Sequence, residues 1–215
     1  MNGSTAMAPS AAQALTVLRD PGQFKWYIVP LGVLVVYAFG EQLAQRRYPV
    51  VFGALAFWCM DWLNEIANSL VFRFTHFAPL WATPGDSGLV LLIGLNFEIA
   101  CMFALAGISA MRMLPEDPRV TVFGVNARIV LAVGLSALAV FVEILLNRAG
   151  ALAWEWKLWN AGFPWFVFLE GYLPFYLVGF WVHDLPPERQ GRVVAYLGGA
   201  VASALVVFGP VLGWI

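Results

Sequence analysis

The chain has 215 residues, is 61% hydrophobic and carries only 12% charged residues, about half the charge of an ordinary soluble domain. Its net charge of −1, with no basic patch, gives no footing for nucleic acid. The composition points to a protein whose main partner is the lipid bilayer.

Residues 1–24 read as an N-terminal interfacial segment, and 25–215 as a single transmembrane helical domain. The first 24 residues are not a secretory signal, because no basic start leads into an apolar run and Asp20 and Pro21 interrupt them. A short amphipathic helix is expected at the surface around Ala11 to Leu18. Asp20-Pro21-Gly22 then breaks the chain. Six apolar segments follow, near 26–45, 50–72, 88–111, 128–149, 162–184 and 193–214. Each has roughly the 20 residues that a bilayer crossing needs. Backbone groups in lipid must bond within their own segment, so the predicted fold class is all-α: a polytopic, multi-pass bundle of about six transmembrane helices.

The loops after the first, third and fifth segments hold Arg46, Arg47, Arg112, Arg119, Arg128, Arg189 and Arg192. The other side holds Arg19, Lys25, Arg73, Arg148 and Lys157. This bias places both termini and the loops 73–87 and 150–161 on the non-cytoplasmic side, with the inverted orientation as the alternative. Those outer loops hold Trp81, Trp154, Trp156 and Trp159, which serve either as an interfacial anchor belt or as a lid over a site.

Four consecutive segments each carry a glutamate: Glu65, Glu98, Glu143 and Glu170. An ionisable group at membrane depth costs at least roughly 2–3 kcal/mol to insert and marks a functional interior. Counted along their segments, all four fall roughly 9–15 Å below the same face. On the second segment Asp61, Asn64, Glu65 and Asn68 form one helical stripe, and on the fourth Ser136, Glu143 and Asn147 do so. On the third segment Glu98 shares a face with Cys101, Met102 and Ser109. On the fifth Glu170 shares one with Phe166, Pro174 and Trp181. The simplest arrangement turns all four glutamates into one cavity open to the outer side. Glu65, Asp61, Glu98, Glu143 and Glu170 are the candidate catalytic residues. Asn64, Asn68, Asn147, Trp58, Trp62, Phe97, Phe166 and Trp154 are the candidate substrate contacts.

Glu65-Ile-Ala-Asn68 ends the second segment much as Glu143-Ile-Leu-Leu-Asn147 ends the fourth. Phe97-Glu98 and Leu169-Glu170 enter the third and fifth. These pairs suggest a duplication of helix pairs, second/third and fourth/fifth. Cys59 and Cys101 have no C-x-x-C partner and read as packing residues, with a disulfide between them left open. His76 and His183 are too far apart to share a site; His76 reads as a solvated loop residue, and His183-Asp184 as capping a helix end. Glu41 is placed to pair with Arg46 or Arg47. Gly198, Gly199, Ala202 and Ser203 give the last segment a small-residue face for close helix packing. No histidine lies at the depth of the carboxylates, so no metal is expected. A hard cation such as Mg²⁺ is the one ion that an oxygen-only ligand set suits.

Carboxyl groups in an apolar interior suit general acid–base chemistry, one donating a proton while a better-solvated partner accepts one. Ring faces nearby stabilise a developing cation. The expected function is therefore an enzyme that cyclises, isomerises or hydrates a lipophilic small molecule. The run Trp62-Leu-Asn64-Glu65 resembles the Asn/Trp/Glu helix of the small integral-membrane terpene cyclases of meroterpenoid pathways. The resemblance covers this one helix and the general build, and that family has seven spans against six here. It implies an isoprenoid substrate and Glu65 as proton donor. A proton- or cation-coupled transporter and a structural subunit of a membrane complex are the competing readings. Only Gly171-Tyr-Leu-Pro174 offers a broken helix of the transporter kind.

Overall fold

The computed structural model describes residues 6–215 and is mostly helical. The first five residues of the predicted 1–24 segment lie outside the described residues. Helix α1 spans Pro9–Val17, and its alanines Ala11 and Ala14 share one wholly buried face. Small methyl groups let α1 sit closely on the loop that follows α3, where Ala8 N–H donates to Phe77 O at 2.9 Å. Asp20 then accepts from Gly22 N–H and caps a single tight turn, Pro21–Gln23.

The remaining helices are α2 (Ile28–Ala44), α3 (Tyr48–Thr75), α4 (Phe97–Arg112), α5 (Ala127–Arg148), α6 (Pro164–Phe166), α7 (Leu173–Asp184) and α8 (Pro187–Val206). A π turn, Val167–Tyr172, joins α6 to α7 into one apolar rod, and another, Val207–Val211, extends α8 around Pro210. Four helical stretches are long and apolar enough to cross a membrane: Tyr48–Thr75, Ala127–Arg148, Pro164–Asp184 and Pro187–Val211. Helices α2 and α4, in the first and third predicted segments, have 17 and 16 residues.

The third segment needs correction. Helix does not begin at 88: β1 (Val90–Leu92) and β2 (Leu95–Asn96) form an antiparallel hairpin before α4. An apolar run is read equally well as buried strand or buried helix, and here Gly94 sits in the turn. The hairpin is buried, so its backbone needs partners away from water. Arg19 N–H donates to Val90 O at 2.9 Å, Arg19 Nε to Leu91 O at 3.0 Å, and Thr83 N–H to Ile93 O at 3.1 Å. A second hairpin, β3 (Thr121–Val122) with β4 (Val125–Asn126), precedes α5. Each hairpin ends in a Gly-x-Asn whose asparagine caps the next helix: Asn96 accepts from Ile99 N–H and Asn126 from Arg128 N–H, both at 2.8 Å.

Helix α3 is the central post, packed against α4, α7 and α8. It crosses α7 where glycine faces glycine. A Cβ on Gly53 would stand 3.0 Å from Gly179 O, and one on Gly179 would stand 3.1 Å from Gly53 O. Phe57, Ile108, Met111, Phe175, Tyr176 and Phe180 fill the core around this crossing. At the arginine-rich end, buried Arg128 pairs with Asp184 and donates to Pro115 O and Asp117 O, tying α5 to α7. His183 Nδ1 also meets Asp184, at 2.9 Å.

Two smaller expectations change, and one holds. Glu41 accepts from Gln45 Nε2 at 3.1 Å rather than pairing with an arginine, since Gln45 lies one turn along the same helix. Among the described residues nothing comes within 4 Å of a Cβ built on Gly198 or Gly199, so the small-residue face of α8 is not packed within the chain. His76, read as a solvated loop residue, is exposed just past α3, which it caps in a left-handed conformation, φ 53°.

Candidate functional site

Asp61 and Glu65 stand one turn apart on α3, which places them on one face. Glu143 projects from α5 to the same space. All three are nearly inaccessible, at 2%, 3% and 6% exposure. They line a cavity of about 240 Å³ together with Asn64, Tyr172 and a surround of Phe, Trp, Leu and Met side chains. Among the described residues no Lys, Arg or His lines it. The three carboxyls therefore have no protein cation to neutralise them, and the cavity must hold protons or accept a cationic ligand.

Glu65 Oε1 accepts from Trp81 Nε1 at 2.9 Å, while Glu65 Oε2 and Asp61 Oδ2 are buried without a partner. Such orphaned atoms are rare in folded proteins and point to a ligand or a proton relay. The hairpin turn presses against this group. A Cβ on Gly94 would collide with the Asn68 amide, lie 2.5 Å from Trp81 Nε1 and lie 2.7 Å from Glu65 Oε2. Only glycine lets the backbone approach so closely. Tyr172 and Trp154 face Glu143; the Trp154 indole stops short of hydrogen-bond geometry and its Nε1 has no partner.

One end of the cavity is roofed by tryptophan. Trp81 and Trp159 stack with ring centroids 4.8 Å apart and planes at 28°, and are 6% and 1% exposed. A lid, not an anchor belt, describes these two. The loops that carry them are stitched by Ala82 and Ala153, which exchange backbone hydrogen bonds at 3.0 and 2.9 Å. The predicted contacts Asn68 and Asn147 secure those loops and do not face the cavity. Asn68 accepts from Leu80 N–H and donates to Trp81 O, and Asn147 donates to Leu152 O.

The four-glutamate cage is corrected to two glutamates and one aspartate. Glu98 is the second residue of α4, because the hairpin takes up the preceding residues. It accepts from Gly88 N–H and from the Tyr27 hydroxyl beside a separate polar cavity with Asp86, Ser87 and Asn96. Glu170 is exposed. The π turn Val167–Tyr172 inserts one residue and shifts the helical face, so that Gly171 and Tyr172 reach the cavity instead. Pro174, which lacks an N–H, favours that irregular turn.

The predicted aromatic contacts also move. Trp58 and Trp62 follow Phe57 and Asp61 by one residue, which turns them about 100° away, toward α4 and α8. Trp58 donates to Ala100 O at 2.9 Å, and Trp62 packs among Ile66, Leu95 and Val201. Phe97 lies beside Gly32 of α2. Phe166 meets the edge of Trp159 from behind. The rings that do line the cavity are Phe57, Trp81, Phe103, Trp159, Tyr172, Phe175 and Tyr176. The Gly171-Tyr-Leu-Pro174 break was the available signal for Tyr172.

Cys59 and Cys101 are free thiols. Among the described residues no group of three or more His, Cys, Asp or Glu side chains is arranged to hold a metal ion.

A protein of Archaeoglobus fulgidus named only "Uncharacterized protein" is 47% identical over 207 residues, which cover 96% of this chain and 98% of that protein. A second protein of the same organism and the same printed name is 41% identical over 56 residues, 24% of this chain and 95% of its own length. No solved structure matches. The family model described as "Uncharacterized membrane protein family" matches residues 8–210. The buried carboxylates thus sit inside a helical membrane protein, and the chain belongs to that family.

Proposed function

We propose that this protein is a membrane-embedded enzyme that uses Asp61, Glu65 and Glu143 for general acid–base chemistry on a lipophilic small molecule. The observation that carries the reading is the pairing of partnerless buried carboxyl oxygens with an aromatic cavity that holds no basic side chain. One carboxyl donates a proton to an alkene or epoxide, the ring faces of Trp81, Phe103 and Tyr172 stabilise the cation that forms, and a second carboxyl removes a proton. Isomerisation follows from those steps alone; cyclisation follows where a second double bond of the substrate attacks the cation first, and hydration where water adds to it and the second carboxyl takes the water's proton. The resemblance of Trp62-Leu-Asn64-Glu65 to membrane terpene cyclases supports an isoprenoid substrate and Glu65 as donor. Trp62 turns away from the cavity, so Asn64 and Glu65 carry the likeness.

In this reading the short helices α2 and α4 complete six crossings. The arginine-rich connections face the cytoplasm, and the Trp81–Trp159 lid faces outward. The test is comparative lipid analysis. The protein is reconstituted with a lipid extract of its source membranes, and neutral and prenyl lipids are followed by mass spectrometry. The wild type should convert at least one species to an isomer or hydrate, and the Glu65→Gln/Glu143→Gln variant should not. Equal lipid profiles for both proteins would overturn the proposal.

One observation favours a second reading. The π turn at Val167–Tyr172 beside a cation-free acidic cavity is also what a proton- or cation-coupled transporter would place at its binding site. Uptake into liposomes that responds to a pH gradient would support it.

A further inference from the structure

Of the 21 residues that line the acidic cavity, only Met102, Leu138 and Val142 are exposed, at 45%, 57% and 39%. All three are apolar. Met102 belongs to α4, and Leu138 and Val142 to α5. Helix α4 packs on α2, α3 and α7, and α5 packs on α7 and the π turn, but α4 and α5 are not packed along one another. The aqueous end is closed by Trp81, Trp159 and Leu152, each 6% exposed or less, and the deep end by Phe57, Phe175 and Tyr176. The cavity's accessible lining therefore lies along the side of the bundle, where an integral membrane protein meets acyl chains.

Resting on the enzymatic reading above, we infer that the gap between α4 and α5 is a lateral portal through which a single-chain lipid enters from the bilayer. Its reactive end reaches Asp61, Glu65 and Glu143 while its tail stays among the membrane chains. Size and polarity both point this way. At about 240 Å³ the cavity exceeds the ~150 Å³ void that takes up benzene. It falls just short of the roughly 300–1,000 Å³ of pockets that enclose a drug-sized ligand. It has room for the end of one chain and none for a diacyl lipid. The three carboxyls are buried, whereas the exposed lining, Met102, Leu138 and Val142, is wholly apolar. A water-soluble substrate would have to displace the stacked tryptophans to enter, whereas a chain already in the bilayer has only apolar side chains to pass.

The test uses two photoactivatable prenyl alcohols in bilayers containing the full chain. One carries its diazirine beside the hydroxyl and the other at the tail. The head probe should label peptides holding Phe57, Trp81 or Tyr172, and the tail probe those holding Met102, Leu138 or Val142. Leu138→Trp/Val142→Trp should cut head-probe labelling by about tenfold. Val133→Trp, an exposed site on α5 outside the cavity lining, should leave it unchanged. Undiminished inner labelling in the Leu138→Trp/Val142→Trp protein, or head-probe labelling confined to the outer surface, would overturn the portal. If labelling follows the expected pattern but Glu65→Gln/Glu143→Gln leaves every lipid unchanged relative to wild type, the portal stands and the enzymatic reading fails. If lipid turnover depends on the carboxyls but the portal variants neither slow it nor reduce labelling, the reverse holds.

Discussion

The Trp81 indole N–H donates to Glu65 Oε1 at 2.9 Å, joining the lid to the carboxylate it covers. The same ring stacks on Trp159 from the loop that follows α5. One residue thus ties α3, both loops and a buried carboxyl together. Trp81→Phe keeps most of the stack but leaves a buried acceptor unpaired, at a cost of about 1–3 kcal/mol. Thermal unfolding in detergent should show a lower midpoint. A smaller loss from Trp81→Phe is expected in a Glu65→Gln background, because the carboxyl oxygen that the indole serves is then replaced by an amide. Equal losses would detach the hydrogen bond from stability.

Glycine substitutions should separate by position. Gly94→Ala drives a methyl group into Asn68, Trp81 and Glu65, and overpacking of this kind costs about 1–3 kcal/mol. Gly124→Ala meets no neighbour but sits at φ +79°, where strain alone costs about 1 kcal/mol. Gly134→Ala has open space inside α5 and should be neutral or stabilising. The ranking Gly94, Gly124, Gly134 is read from unfolding midpoints, and a Gly94→Ala protein as stable as wild type would contradict the packing at the hairpin turn.

The Arg128–Asp184 pair gives a third expectation. Arg128→Met alone removes the guanidinium from Asp184, which stays exposed beside His183, and leaves the Pro115 and Asp117 carbonyls without this donor, at a cost of about 1–3 kcal/mol. Arg128→Met with Asp184→Leu should recover much of that loss. A double-mutant cycle on unfolding midpoints measures the coupling, and additive losses would show that the pair contributes little.

The carboxylates should divide by location. Glu143→Gln, at the cavity, should lower lipid turnover by about 10²–10⁴-fold, the range for losing a general acid or base. Glu170→Gln, at an exposed position, should leave turnover unchanged. Rates of product formation in the reconstituted system decide between them. A Glu170→Gln loss as large as that of Glu143→Gln would restore the larger cage.

The residues that were legible in the sequence are those on uninterrupted helices. Asp61, Asn64 and Glu65 follow helical spacing along α3, and Glu143 does so along α5, so stripe counting placed them together. It misplaced Glu98 and Glu170 because each lies beside a break in the helical register. The 90–96 hairpin moves Glu98 to the second residue of α4, and the π turn rotates Glu170 out of the cavity. Hairpin and helix leave the same trace in a short apolar run, and a π turn leaves almost none apart from Pro174. Trp81 and Trp159 carried an ambiguous signal, since an interfacial anchor and a buried lid use the same residue. The Glu–Asn likeness of α3 and α5 has a structural counterpart in Asn68 and Asn147, which both hold the loop that follows them. Glu98 and Glu170, the other half of the suggested duplication, sit in unlike surroundings.

In the alkene form of the proposed chemistry a carboxyl proton ends on carbon, so solvent deuterium reports the transfer. Wild-type protein, reconstituted with lipid extract of its source membranes in deuterated water, should yield a lipid product with solvent deuterium bound to carbon. Glu65→Gln/Glu143→Gln should yield none. If no lipid acquires carbon-bound deuterium with the wild type, or the variant transfers as much, protonation of an alkene carbon by these carboxyls is contradicted.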